Sequence, residues 1–257
     1  MMPDPFLRWL GALEERHFAA LNFQEVRRAV QAISALYVER RNRIGEGGAF
    51  EGAGKRAAFA TYFAPLHFLL VREIVRALDA AKVSTSDVLD LGCGTGIASA
   101  AWALEMNTQP RITGIDRNSW AMREAKWTYG VFNLRCAVRP DDLATFKIGK
   151  TGAVIAAFTI NELSDEMRTR MLREMLSAAR QGSAVLVIEP IARSVASWWP
   201  HWAREWNAAG GREDEWRFRV PLPESLALMD KAAGLDHREL TGRSLWIPPN
   251  KSDRSRF

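Results

Sequence analysis

Apolar positions along this chain follow two rhythms. Within residues 5–43 they return at helical spacing, as Val26, Val30, Ile33 and Tyr37 do, while Arg27, Arg28, Glu39 and Arg40 take the rest of the wheel. That spacing predicts two amphipathic helices. A third is predicted from about Lys55 to Leu78, with Tyr62, Leu66, Leu69, Leu70, Ile74 and Leu78 on one side. Pro65 lies inside it and predicts either a kink or a helix start near Ala64, since proline donates no backbone hydrogen bond. From residue 87 onward the rhythm changes to short apolar runs separated by helical patterns. Strands are predicted at about 87–91, 111–115, 134–138, 152–158, 183–189, 235–240 and 244–248, with helices at 96–106, 118–130, 164–180 and 223–233. Such alternation with short connections builds a parallel sheet with right-handed crossovers. The last two strands, LDHREL and SLWI, flank a Thr241–Gly242–Arg243 turn and are predicted to be antiparallel.

The stretch Gly45–Gly54, GEGGAFEGAG, lacks the Lys-Ser/Thr ending of a phosphate loop and reads as a flexible linker or as a lid. Two domains follow from this pattern: an N-terminal helical cap or lid over residues 1–82, and an α/β domain over 83–257.

Candidate chemistry concentrates in Asp87–Gly96, DVLDLGCGTG. A buried strand (Val88, Leu89, Leu91) runs into a turn with Gly92, Gly94 and Gly96, and a helix of small residues follows. This layout brings a ligand against bare backbone and a helix N-terminus. The spacing is not the G-x-G-x-x-G of dinucleotide sites, because Ile97 occupies the last glycine slot. Asp90 would repel a pyrophosphate and suits a ligand with an ammonium group. Arg111–Asp116, RITGID, reads as the next strand. Its Asp116 lies about twenty residues beyond the glycines, the spacing of an acid that accepts from ribose hydroxyls; an N-cap is the alternative role.

VLDLGCGTG resembles motif I of the class I S-adenosylmethionine-dependent methyltransferases. The resemblance implies a Rossmann-like, seven-stranded, mostly parallel sheet with an antiparallel C-terminal hairpin. It implies S-adenosyl-L-methionine as the cofactor, with its methionine half in the turn of Gly92, Cys93, Gly94 and Gly96, its amino group near Asp90, and its ribose on Asp116 beside Arg117. An acid in Arg139–Leu143, RPDDL, would face the adenine; Asp142 or Asp141 could serve, or the segment is an exposed turn. Tyr62 and Phe158 complete the expected cofactor contacts. Ala153–Leu163, AVIAAFTINEL, stands at motif IV without the Asn/Asp-Pro-Pro-Tyr form of many amino-group methylases. Asn161 could orient a substrate there, and Glu162 could accept a proton or cap the next helix. Tyr37–Arg41, Tyr62, Pro65 and FTINEL (Phe158–Leu163) resemble more narrowly the mitochondrial ribosomal small-subunit methyltransferase-like proteins and their bacterial relatives. That group carries extra cysteines for a metal cluster, and this sequence has none of them.

Composition narrows the partners. The net charge is +5 over 257 residues, and 10 Trp stand against 3 Tyr. Trp198, Trp199, Trp202 and Trp206 fall at spacings that put several on one helical face, either core or a wall that stacks a substrate ring or unpaired base beside Arg193, Arg204 and Arg212. With Arg40, Arg41 and Arg43, these features make RNA the preferred acceptor over a small molecule. A cofactor-binding RNA or ribosome-assembly protein without turnover is the third reading. Two distant cysteines, Cys93 and Cys136, suggest a reducing cytoplasm. His17, His67, His201 and His237 show no ligand spacing, so no metal is expected. No signal peptide or membrane-length apolar run is read, so no membrane partner is expected.

Overall fold

The computed structural model describes residues 4–19, 21–39, 52–191 and 196–249. The basic run Arg40, Arg41 and Arg43, most of the glycine-rich stretch and Arg193 lie outside them. Two compact units arise: Met1–Leu69 with Arg217–Leu240, and Leu70–Trp216 with Thr241–Phe257. The division expected at 82/83 thus differs from the division by packing. The chain leaves the first unit at Leu69 and returns to it for residues 217–240.

The first unit is helical. Helix α1 (Pro5–Phe18) begins at Asp4, whose carboxylate accepts from the Phe6 N–H at 3.0 Å. It buries Phe6, Trp9, Leu10 and Leu13, the stripe that helical spacing dictates. Helix α2 (Phe23–Glu39) opens with a reciprocal capping pair: the Asn22 N–H donates to Glu25 at 2.8 Å, and the Glu25 N–H to Asn22 at 3.0 Å. Val26, Val30 and Ile33 are wholly buried, as their spacing predicts. Helix α3 (Gly52–Ala58) runs through a π turn (Phe59–Phe63) into α4 (Ala64–Ala77). Proline explains the π turn. Pro65 cannot donate to the helix ladder, and the Ala64 N–H reaches back to the Phe59 carbonyl, so α4 starts at Ala64. The continuous span Gly52–Ala77 is long and apolar enough to cross a membrane, with a mean hydropathy of 1.3, which the sequence reading overlooked. Its apolar window is 78% buried inside the protein, as in the core helix of a globular unit.

The second unit carries the sheet. Strands β1 (Asp87–Leu91), β2 (Arg111–Asp116), β3 (Cys136–Pro140), β4 (Ala153–Ala157) and β5 (Ala184–Glu189) pair in parallel; β7 (Leu240–Ile247) lies antiparallel to β5, and β6 (Arg212–Phe218) sits at the edge. The order is β3-β2-β1-β4-β5-β7-β6, a seven-stranded, mostly parallel, Rossmann-like sheet with an antiparallel C-terminal end. Helices α5 (Ile97–Glu105), α6 (Ser119–Val131) and α7 (Asp165–Arg180) connect the parallel strands. Helix α8 (Trp199–Ala208) follows β5, and α9 (Glu224–Ala233), in the first unit, precedes β7.

Two local readings are corrected. Residues 235–239 form no strand, and β7 runs straight through Thr241–Gly242–Arg243. The reason is its register: Arg243 and Ser244 pair with Glu189 and Ile188 and are buried in the sheet, so a turn there would break the ladder. The strand beyond β7 is instead β6, REDEWRF, whose charges suit an exposed edge. The tryptophan face is core. Trp198, Trp199, Trp202 and Trp206 are 9%, 2%, 1% and 0% exposed and pack with Met171, Met175, Val187 and Leu245 of their own unit. The Trp202 and Trp206 rings stack at 5.7 Å. A wall for stacking a substrate ring is therefore excluded at these positions.

Candidate cofactor-binding site

Strand order reverses between β1 and β4, so the crevice beyond their carboxyl ends is where this topology receives a ligand. The glycine turn leaves β1 there. Gly92 has a φ of +66°, and a Cβ on it would lie 2.4 Å from the Thr159 methyl. The Thr159 hydroxyl donates to the Gly92 carbonyl at 3.2 Å, closing β4 onto the turn. Gly94 needs glycine for another reason. Its φ is +51°, yet a Cβ would meet nothing within 4 Å, so the backbone borders open space. Next to it Thr95 is 4% exposed, and its hydroxyl has no partner among the described residues. A buried orphan hydroxyl beside bare backbone fits a polar ligand group. Cys93 is buried, its N–H donating to the Ile115 carbonyl at 2.9 Å; burial pushes its thiol up, so it serves the turn as a neutral packing group.

Asp116 ends β2 at this crevice. One carboxylate oxygen accepts from the Gly94 N–H at 2.8 Å and the other from the Asn118 N–H at 2.7 Å. The carboxylate thus ties turn to strand and keeps spare lone pairs for ligand hydroxyls. The N-cap of α6 falls to Asn118, which accepts from the Trp120 and Ala121 N–H groups at 3.0 Å each, so Asp116 is not the cap. Arg117 is exposed at the same strand end, and Asp142 is exposed beyond β3, one oxygen accepting from the Ala144 N–H at 2.9 Å.

Asp90 is placed otherwise than the expected ammonium contact requires. It is 1% exposed and turned beneath the first turn of α5, accepting from the Ser99 hydroxyl at 2.5 Å and the Ser99 N–H at 3.3 Å. Gly96 gives that helix no side-chain cap, so Asp90 supplies the negative charge its N-terminus needs. Burial raises the Asp90 carboxyl to about 6, against the pull of Ser99.

At the end of β4, Phe158 holds a φ of +58°, strained for a bulky residue, its N–H donating to the Ile188 carbonyl at 2.8 Å. Such strain collects at functional sites, and nothing in the sequence announced it. Asn161 does not present a free amide to a substrate: its Nδ2 donates to Glu189 at 2.7 Å, and its Oδ1 accepts from the Trp198 indole at 2.9 Å. Glu162 is exposed in the short turn that follows β4. Desolvation by nearby protein atoms and the Asp116 charge push its carboxyl up to about 7, against the pull of Arg117. It does not cap α7, since Ser164 does so. Tyr62 belongs to the helical unit. It is wholly buried, donates to Asp230 and lies 2.9 Å from His237 Nδ1. Among the described residues no group of three or more His, Cys, Asp or Glu could hold a metal.

Residues 88–182, which include the glycine turn, Asp116 and Glu162, match the family model described as a methyltransferase domain. Over 110 residues the chain is 27% identical to the carboxy-S-adenosyl-L-methionine synthase of Idiomarina loihiensis, covering 41% of this chain and 45% of that one. The chain thus spans under half the length of the curated relative it matches. Among solved structures, the mitomycin 7-O-methyltransferase MmcR is similar over 97% of this chain and 74% of its own, at 17% identity and a TM-score of 0.52. A tRNA (uracil-54, C5)-methyltransferase of Pyrococcus abyssi, solved with S-adenosyl-L-homocysteine, is similar over 73% of this chain and 38% of its own, at 15% identity and a TM-score of 0.45. The strand order and the glycine turn define the class, an α/β domain with its ligand crevice at the point where strand order reverses. Residues 88–182 thus carry a methyltransferase domain, and S-adenosylmethionine is the cofactor such a domain uses.

Proposed function

We propose that this chain is an S-adenosylmethionine-dependent methyltransferase that moves the methyl group by in-line displacement onto RNA. The single observation that carries the cofactor reading is the junction of Gly94 and Thr95, bare backbone beside a buried hydroxyl with no partner among the described residues. The bound cofactor supplies an electrophilic methyl on a sulfonium, so the protein's main task is to align acceptor and methyl. Gly92–Gly96 and Thr95 hold the methionine end, Asp116 the ribose, and Asp142 stands where the adenine amino group is expected. Glu162 takes the proton that an amine or hydroxyl acceptor gives up, its carboxyl poised near neutrality. Asn161 braces this turn rather than touching the acceptor.

The net charge of +5 and the resemblance of Phe158–Leu163 to the ribosomal methyltransferase-like group support RNA. A second reading, a small amine or hydroxyl acceptor, is favoured by the burial of the four tryptophans that would otherwise stack a base. Calorimetry with S-adenosylmethionine tests the cofactor, with saturable binding expected. Transfer of labelled methyl into total RNA or into a small-molecule extract decides the acceptor. Label in RNA, together with RNA affinity that falls steeply with salt, supports the first reading. Label confined to the extract selects the second, and binding without transfer to either selects a cofactor-binding assembly protein.

A further inference from the structure

The end of β5 carries a carboxylate that the methyl-transfer reading leaves without a task. Glu189 is 0% exposed, and three donors converge on it: the Ile160 N–H at 2.7 Å and the Asn161 N–H at 3.2 Å on one oxygen, the Asn161 amide at 2.7 Å on the other. Burial pushes its carboxyl up to about 8, while those donors and Arg243 draw it down. Arg243, 4% exposed, pairs with Glu189 across the β5–β7 ladder and lies 3.9 Å over the Trp199 ring.

The polarity of this cluster is fixed from outside. An indole N–H can only donate, so Trp198 sets Asn161 with its oxygen toward the indole and its NH2 toward Glu189. The group at 189 must then accept on both oxygens, which a carboxyl group does in either protonation state, its hydroxyl oxygen keeping lone pairs when protonated, and an amide cannot. The residue so clamped is the one before Glu162, in the short turn Ile160–Glu162. Backbone N–H groups in a buried turn need partners, and Glu189 supplies them for two consecutive residues. We infer that Glu189 is a positioning residue, holding the β4 exit and with it the turn that carries Glu162. What Glu162 then does rests on the methyl-transfer reading; its placement does not.

The test titrates Glu162 without cofactor. Carboxyl carbon shifts in 13C-glutamate-labelled protein are followed with pH, the Glu162 signal being the one lost in Glu162→Gln. In wild-type protein its midpoint is expected near 7. In Glu189→Gln the new NH2 faces the Asn161 NH2, two donors in contact. The turn loosens, and the midpoint falls toward the ordinary glutamate value of about 4.3. Exchanging the partners, Asn161→Asp with Glu189→Gln, restores an acceptor opposite a donor and leaves Trp198 an oxygen; the midpoint is expected to return toward 7. An unmoved midpoint in a folded Glu189→Gln protein overturns the inference. So does an exchange variant that is unfolded or keeps the lowered midpoint. If Glu189→Gln alone does not fold, a folded exchange variant with a wild-type midpoint still carries it. Failure of wild-type protein to bind S-adenosylmethionine would sink the proposed function and leave these midpoints, and the positioning role, standing.

Discussion

Two glycines two positions apart do different work, and their alanine variants separate the roles. Gly92→Ala drives a methyl into Thr159, adding overpacking of about 1–3 kcal/mol to the strain of a left-handed residue. Gly94→Ala meets nothing, so its stability cost is the backbone strain alone, about 1–2 kcal/mol, yet its methyl enters the ligand's space. The expected outcome is a larger loss of denaturation free energy for Gly92→Ala, and loss of S-adenosylmethionine binding in a still-folded Gly94→Ala protein. Full affinity in Gly94→Ala would move the cofactor elsewhere. Asp116→Ala is expected to weaken S-adenosylmethionine by about 1–3 kcal/mol through lost hydrogen bonds; unchanged affinity by calorimetry would remove Asp116 from the site. The glycine turn and the place of Asp116 at the end of β2 were legible because their spacing is fixed by one strand–turn–strand passage. Asp90 and Asn161 were misread because their partners, Ser99, Glu189 and Trp198, come from other turns and strands.

Amphipathic helices and buried parallel strands declare themselves by period, and those elements lie where their periods place them. Edge strands do not. The charged β6 resembles a loop in composition, and Thr241–Gly242–Arg243 resembles a turn until β5 is seen pairing with it. Helix α8 shows its apolar face in sequence but not what covers that face. Since Trp206 is wholly buried on the stacked ring of Trp202, Trp206→Ala is expected to cost about 3–5 kcal/mol of stability. Trp206→Phe should cost much less, because the indole N–H it removes has no partner among the described residues. Equal losses in urea unfolding for the two variants would contradict the packing described. In the helical unit, Tyr62→Phe withdraws a donor from Asp230, leaving His237 as its partner through the ring Nδ1 at 2.6 Å and the backbone N–H at 3.0 Å. A stability loss of about 1–3 kcal/mol is expected.

For the whole molecule, ionisation couples the site to stability. Glu162 and Glu189 have folded values near 7 and 8, above the ordinary carboxyl value of about 4.3. Between those limits the folded chain binds more protons than the unfolded one, so stability falls as pH rises. Asp90, at about 6, acts in the same direction at lower pH. His67 works oppositely. Burial lowers it to about 4, so its contribution is complete above its usual value of about 6.5 and is lost as pH falls below that. From pH 6.5 to 8.5 the carboxylates therefore act without opposition from His67, and the melting temperature of cofactor-free protein is expected to decline. Glu162→Gln should flatten part of that decline; a flat or rising wild-type profile would show these carboxyls to be ordinary acids.

By itself the sequence determined the α/β alternation, the glycine bend, the strand-end Asp116 and the cofactor class, because each depends on residues within one or two consecutive elements. Only the tertiary structure decided that the tryptophans are core, that Asp90 serves a helix end, that β6 borders β7, and that Glu189 braces the turn carrying Glu162. Those facts are set by which distant groups remove water from one another and satisfy one another's hydrogen bonds, and a linear pattern does not encode such pairings position by position.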